Sequence, residues 1–336
     1  MVMSNSPIAS LGVVIPAHGH YRDVIARTLE AVREQTVQPR AVVVVIDGPD
    51  PGLEELVRAH ASNFEILVLP KNSGGPATPR NEGAAILLGR HELDGIWFLD
   101  SDDVPHPRFI EMTSRAMDEN PDADLVCTDF DRWTANSDQP TPSVPTTGKP
   151  DCTAIDLDWY LDSTGSILPS FTVVRTRCFS WIRDSGDPFD PSYRNNQDYE
   201  MFVRILHQGH GIRLECKAGS YRMHPHAISA QGAHAWLCRS SVNRDLEIWF
   251  RDRGDDALAA RMCVADGSAL RKAARHFWRR GARPDREMAI RLLTDDVRDR
   301  WAFRSLVLLL TIPMGLDAKS RRIPRQGDTR LAGSTR

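Results

Sequence analysis

The sequence lacks a dominant charge: 42 Lys and Arg stand against 45 Asp and Glu, a formal net charge of −3. Without a basic excess there is no polyanion-binding signature, and nucleic acid is set aside as a partner. No C-x-x-C pair occurs among Cys127, Cys152, Cys178, Cys216, Cys238 and Cys263. That excludes the usual zinc knuckle or dithiol motif and predicts buried thiols in a reducing compartment. Met1–Ser10 has no basic region followed by an apolar one, so no secretory signal is expected. Long hydrophobic runs are missing too. The longest uncharged apolar stretch, Ser305–Leu316, falls short of the ~20 residues that span a bilayer. A cytoplasmic protein is expected.

What is present is ordinary globular composition, with 41% hydrophobic and 26% charged residues in a chain of 336. Such a chain can bury a sizeable core without disulfides, as one large or two modest domains. Leu11–Ile15 and Ala41–Ile46 are continuous β-branched runs, expected of strands buried on both faces of a parallel sheet. Val24, Ile25, Thr28, Leu29 and Val32 recur between them at helical spacing. Phe64–Leu69 and Gly95–Leu99 read as two further strands, each after a helix-like segment. This alternation predicts an open, mostly parallel α/β sheet with helices on both faces. Ligands of such sheets bind beyond the carboxyl ends of the strands. Phe171–Val174 is a further short strand, Gln197–His207 a helix, and Gln139–Pro150 a surface loop or lid. From about Ala233 the pattern is helical throughout, and the last residues form a basic tail.

Carboxylates gather at predicted strand ends. Asp100, Asp102 and Asp103 follow the Gly95–Leu99 run, where mutual repulsion calls for a hard divalent cation or, alternatively, for a helix cap near Pro107–Asn120. Asp47 ends the second strand, either to accept from a nucleobase N–H or to hold a turn. The Gly-containing stretch from Lys71 leads to Arg80-Asn81-Glu82-Gly83, suited to an anionic ligand. It matches neither a P-loop nor a dinucleotide fingerprint. Asp198, at a helix start, fits a general base or an N-cap. His224 and His226 fit one face of a strand, as metal ligands or as polar surface.

Taken in order, these segments resemble the family 2 glycosyltransferases. The matching run is Val13-Val14-Ile15-Pro16, Asp47-Gly48, Arg80-Asn81-Glu82-Gly83, Leu99-Asp100-Ser101-Asp102-Asp103, Gly186-Asp187-Pro188-Phe189-Asp190, Gln197-Asp198-Tyr199 and Tyr221-Arg222-Met223-His224, with Ser229 after it. The resemblance covers roughly residues 11–230. It implies a GT-A fold, Rossmann-like, with nucleotide-sugar binding at about 11–130 and the acceptor side at about 150–230. A helical region at 233–316 and the tail at 317–336 follow.

The resemblance further implies an inverting transferase that moves a hexosyl or N-acetylhexosaminyl group from a nucleotide-diphosphate sugar, with UDP favoured. Its acceptor would be a glycan, a lipid-linked or a small-molecule nucleophile. Pro16 and Ala17 would line the base pocket, Asp47 and Arg80 would grip the base, and Asp100 and Ser101 would reach the ribose. Asp102 and His224 would hold Mn²⁺ or Mg²⁺, and Asp198 would be the general base. Three departures stand out: Ile46 in place of a first aspartate, Gln197 in place of Glu, and Ala17-His18-Gly19-His20 in place of the commoner Tyr-Asn. The rival readings are a nucleotidyltransferase, which would carry a Gly-rich loop after the first strand, and a non-catalytic nucleotide-sugar binder. Near the C-terminus, Trp301, Phe303, Leu306, Val307 and Leu310 could form an apolar face for peripheral contact with the inner face of a membrane. The rival there is a helix packed on the catalytic domain.

Overall fold

The computed structural model describes residues 9–134, 144, 150–163, 167–224, 232–300 and 302–312. The chain divides into two compact units, Met1–Ala227 and Ile228–Arg336. The expected loop at Gln139–Pro150, apart from 144 and 150, and Ser229, His226 and the basic tail lie outside the described residues.

The first unit begins with β1 (Leu11–Ala17), α1 (Ile25–Arg33), β2 (Ala41–Ile46), α2 (Pro51–His60), β3 (Glu65–Val68), α3 (Ala77–Arg90) and β4 (Gly95–Phe98). It continues through β5 (Val104–Pro105), α4 (Phe109–Glu119), β6 (Leu125–Thr134), β7 (Cys152–Ile155), α5 (Leu157–Asp162), β8 (Thr172–Arg175), α6 (Gln197–Gln208) and β9 (Gly211–Met223). One sheet runs in the order β3-β2-β1-β4-β8-β6-β9-β5, with β7 also on β9. The β3-β2-β1-β4 part is parallel, β8 is antiparallel to both its neighbours, and β6 and β9 are parallel to each other. The mostly parallel α/β sheet read from the sequence is therefore the one found. Strand order reverses between β1 and β4, and a crevice opens beyond the carboxyl ends of strands at such a point.

β1 is buried along its whole length, as continuous apolar runs covered on both faces must be. α1 turns Ile25, Leu29 and Val32 inward at helical spacing. α3 approaches the sheet unusually closely because Gly83 has no side chain. A Cβ there would stand 2.5 Å from Val14 Cγ1 and 3.1 Å from Val45 Cγ2. The glycine that ends the Arg80–Gly83 motif thus seats the helix, and the seated helix carries Arg80 and Asn81 toward the ends of β1 and β4.

The long strand β6 was not foreseen, and of β9 only the C-terminal end was. β6 holds Asp129, Asp131 and Arg132, which hide it from any search for apolar runs. Their charges are met across the ladder, with Arg213 3.3 Å from Asp129 and Lys217 2.6 Å from Asp131. Cross-strand pairs of this kind stabilise a sheet without apolar residues. The thiol expectation needs one correction. Cys127, Cys178 and Cys216 are buried, whereas Cys238 and Cys263 are half-buried and Cys152 is exposed on β7, an edge strand.

The second unit comprises α7 (Ala233–Arg251), α8 (Asp256–Arg280), α9 (Arg283–Arg300) and α10 (Phe303–Thr311). Asp255 caps α8 by accepting from the Leu258 N–H, and Gly281 ends it in the left-handed conformation at φ 80°. Among the described residues, no helix is long and apolar enough to cross a membrane.

Candidate active site

The acidic run leaves β4 at the β1/β4 crevice, and each of its carboxylates has a different environment. Asp100 accepts from the Arg80 guanidinium and, through its backbone N–H, donates to Ser170 Oγ at 3.1 Å. Arg80 is only 3% exposed and lies over the Phe189 ring, with its centre 5.1 Å from the ring centroid. The arginine at the start of α3 is therefore committed to Asp100, a contact that the sequence reading did not anticipate. Ser101 is buried.

Asp103 is wholly inside. One oxygen accepts from the Arg222 N–H at 2.9 Å, and its carbonyl accepts from Thr28 Oγ1 at 2.9 Å. Burial pushes its carboxyl well above the ordinary range, and the neighbouring Asp102 and Asp100 charges push further. Asp102 points the other way, to His224, with Oδ2 3.1 Å from Nε2. Burial also raises its carboxyl, the Asp100 charge adds to this, and His224 opposes it. Neither Asp102 nor Asp103 caps the following helix. The residue at the start of α4 is Arg108, which makes no side-chain cap.

His224 reaches Asp102 because β9 comes back along the acidic run. Val104 pairs with Ser220 and Pro105 with Gly219, so the end of β9 lies beside the residues just before β5. His224 stands one residue past the strand, and the strand face read for it together with His226 involves a residue outside the described ones.

Tyr21, on the turn after β1, packs edge-on against the His224 ring with centroids 5.7 Å apart. Burial pushes its phenol far up, and the charges of Asp102 and Asp100 push further, so it stays a hydroxyl donor. The sequence reading missed it, since a lone Tyr among His18, Gly19 and His20 has no spacing that marks it.

Pro16 and Ala17 end β1 in register with Val45 and Ile46 of β2. Asp47, next along β2, accepts from the Ser73 N–H at 2.8 Å and from Ser73 Oγ at 3.0 Å. It ties the 71–76 loop to the sheet edge, which is the turn-holding alternative in concrete form. Asp198 occupies the first turn of α6. It is not the cap: that position belongs to Asn196, at φ 64°, and Asp198 Oδ1 accepts the Tyr199 N–H at 2.9 Å. The loop before α6 is fixed to α3 by Asn81, which donates to the Phe189 carbonyl at 2.8 Å and accepts the Phe189 N–H at 3.0 Å. The structure thus joins Arg80 with Asp100, and Asp102 with His224. The hydrogen bond that Asp198 accepts stays within α6, from the Tyr199 N–H.

Glu200, two residues on, is fully buried and ion-paired to both Arg183 and Arg204. Burial and the Arg204 charge lower the Arg183 pKa to about 10. Glu200→Ala would leave two mostly buried guanidinium groups facing each other. Because Arg183 keeps Asp190 at 3.5 Å, the expected loss is near the lower end of the about 3–5 kcal/mol for a broken buried pair. A urea titration checks it: an unshifted midpoint would mean that the carboxylate is replaceable by solvent.

A family model described as "Glycosyl transferase family 2" matches residues 12–179. Glycosyltransferase GlyG of Streptococcus pneumoniae is 26% identical over 211 residues, which cover 58% of this chain and 67% of that protein. Succinoglycan biosynthesis protein ExoW of Rhizobium meliloti is 35% identical over 102 residues, covering 30% of this chain and 31% of that protein. An uncharacterized glycosyltransferase of Rickettsia bellii is 31% identical over 112 residues, and there this chain spans only 16% of the relative's length. Among solved structures, S. aureus TarS 1–349 in complex with UDP-GlcNAc superposes with a TM-score of 0.61 at 16% identity, covering 91% of this chain and 88% of that one. The matched model runs from β1 through β8 and takes in the crevice, Asp47, Arg80 and the whole acidic run; by that match the chain belongs to glycosyl transferase family 2.

Proposed function

We propose that this protein is an inverting glycosyltransferase that takes a hexosyl or N-acetylhexosaminyl group from a UDP-sugar and gives it to a hydroxyl-bearing glycan, lipid-linked or small-molecule acceptor. The observation that carries the reading is the meeting of Asp102 with His224 at the β1/β4 crevice. Adjacent ligands on an octahedral cation with about 2.1 Å bonds stand about 3 Å apart. The 3.1 Å between Asp102 Oδ2 and His224 Nε2 suits such a pair. Among the described residues no cluster of three or more metal-ligating side chains occurs. That fits Mg²⁺ or Mn²⁺, which keep waters and take phosphate oxygens in preference to a full protein cage. When bound, such an ion supplies positive charge against the departing diphosphate.

The rest of the work falls to the chain's own groups. Pro16 and Ala17 line the edge at which the base would lie, and Asp47 fixes the 71–76 loop beside it. Asp100 is held by Arg80 through one oxygen, and the other is left to accept from a ribose hydroxyl. Ser101 lies between these acidic groups. Tyr21 braces the His224 ring and keeps a hydroxyl donor near the carboxylates. Asp198, in the first turn of α6, takes the proton of the attacking acceptor hydroxyl. The neighbour's UDP-GlcNAc complex supports a UDP-sugar as donor, and family membership weighs against a nucleotidyltransferase.

The test is a calorimetric panel of UDP, GDP and dTDP with and without Mn²⁺, followed by nucleotide release from the corresponding sugars. Tight, Mn²⁺-dependent UDP binding with slow UDP-sugar hydrolysis is expected. Binding without any turnover, even with a panel of acceptors, would make the protein a nucleotide-sugar binder.

A further inference from the structure

We propose that the C-terminal helical unit docks on an anionic lipid surface, using the outward face of α10 and the cationic turn between α8 and α9. This surface lies wholly within the second unit and stands independently of the transfer reaction.

α10 is apolar on two sides. Ser305, Leu308 and Ile312 fall on one helical face, and all three are buried. Leu308 and Ile312 join Phe277 of α8 and Ala289 and Leu293 of α9 in one core cluster. That face accounts for the packing expected of such a helix. It does not account for Leu306, Val307 and Leu310, which fall on the other face and are 42%, 41% and 62% exposed. Within the second unit, α8 and α9 take up the buried face, while Leu306, Val307 and Leu310 stay exposed. Trp301 and the Phe303 side chain lie outside the described residues. A helix that is apolar all round needs cover on both sides.

The chemistry of the cover follows from what surrounds this face. Ser305 donates to Asp296 and lies 3.4 Å from Arg271, so α10 starts beside the C-terminal half of α9. Its far end, at Ile312, shares a core cluster with Phe277 of α8 and Ala289 of α9, which flank the α8–α9 turn in sequence. That turn exposes Arg279, Arg280, Arg283 and Arg286, against Asp285 and Glu287. Glu287 is taken up by Arg283 at 2.9 Å. In sequence, α10 is followed by Lys319, Arg321, Arg322, Arg325, Arg330 and Arg336 against Asp317 and Asp328. An apolar helix face flanked by cations suits an interface of acyl chains beneath anionic headgroups. A second copy of the chain would cover the apolar face but leave the arginine-rich turn without an anionic partner.

The experiment is co-sedimentation of the full-length protein with vesicles of phosphatidylcholine containing about 30 mol% phosphatidylglycerol, and with pure phosphatidylcholine. At low salt, binding to the anionic vesicles should be at least about tenfold stronger, and it should fall several-fold at about 0.5 M NaCl. Leu310→Asp, and separately Arg279→Glu with Arg280→Glu, should each cut it by about tenfold with the melting temperature kept. Three results would each overturn the proposal. One is failure to sediment with either vesicle. Another is equal binding to both compositions or undiminished binding by Leu310→Asp. The third is a concentration-dependent dimer that Leu310→Asp dissolves while vesicle binding is absent.

Discussion

Asp198→Asn is expected to lower sugar transfer by about 10²–10⁴-fold while donor affinity and stability stay near those of the parent protein. The substitution keeps shape and removes basicity. Tyr199 can still donate its N–H to the amide oxygen as it does to Asp198 Oδ1, so the first turn of α6 keeps its hydrogen bond. The helix start itself is set by Asn196 and by Asn81's grip on Phe189, neither of which changes. An amide cannot accept the acceptor's proton at neutral pH, so the loss belongs to the transition state. It should appear in kcat with donor KM little altered. A loss of that size is about 3–5 kcal/mol in the barrier. Near-normal turnover would mean that Asp198 only stabilises the helix terminus and that another group takes the proton.

The second large effect concerns the other side of the crevice. Asp102→Ala should reduce Mn²⁺-dependent UDP affinity by about 100-fold or more, beyond the 10–100-fold typical of losing a group that only supports a ligand. Asp102 sits 3.1 Å from His224, with its carboxyl buried. Arg80 engages Asp100, and the Arg222 N–H engages Asp103. His224→Ala should weaken the same metal dependence to a lesser degree, since it leaves the charged ligand in place. Calorimetry with and without Mn²⁺ separates these outcomes from a general loss of nucleotide binding. An Asp102→Ala protein that binds UDP with unchanged metal dependence would move the cation away from this residue.

The parallel half of the sheet was legible in the sequence because burial on both faces leaves an unambiguous trace. Ala41–Ile46 is found as a strand with the bounds read from its residues, and Leu11–Ile15 extends by the two residues Pro16 and Ala17. β6 and β9 left no such trace. Their charges are neutralised by each other across the ladder, and a single sequence does not reveal which residue lies opposite which. The same limit hid the partner of Arg80. A positive group at a helix start reads as an anion site until the fold brings a carboxylate of its own chain to it.

By itself, then, the sequence determined which carboxylates would end which strands, because strand ends are set locally by where apolar runs stop. It also placed Asp198 at a helix start. The tertiary structure decided what each carboxylate does. Asp100 was given to Arg80, Asp103 to the backbone of β9, and Asp102 to His224, which arrives from a strand far along the chain. These assignments depend on the path of β9 past β5, and that path is fixed by long-range pairing that no local spacing encodes. The environment of a charge is a property of everything packed around it, and only the folded chain supplies that.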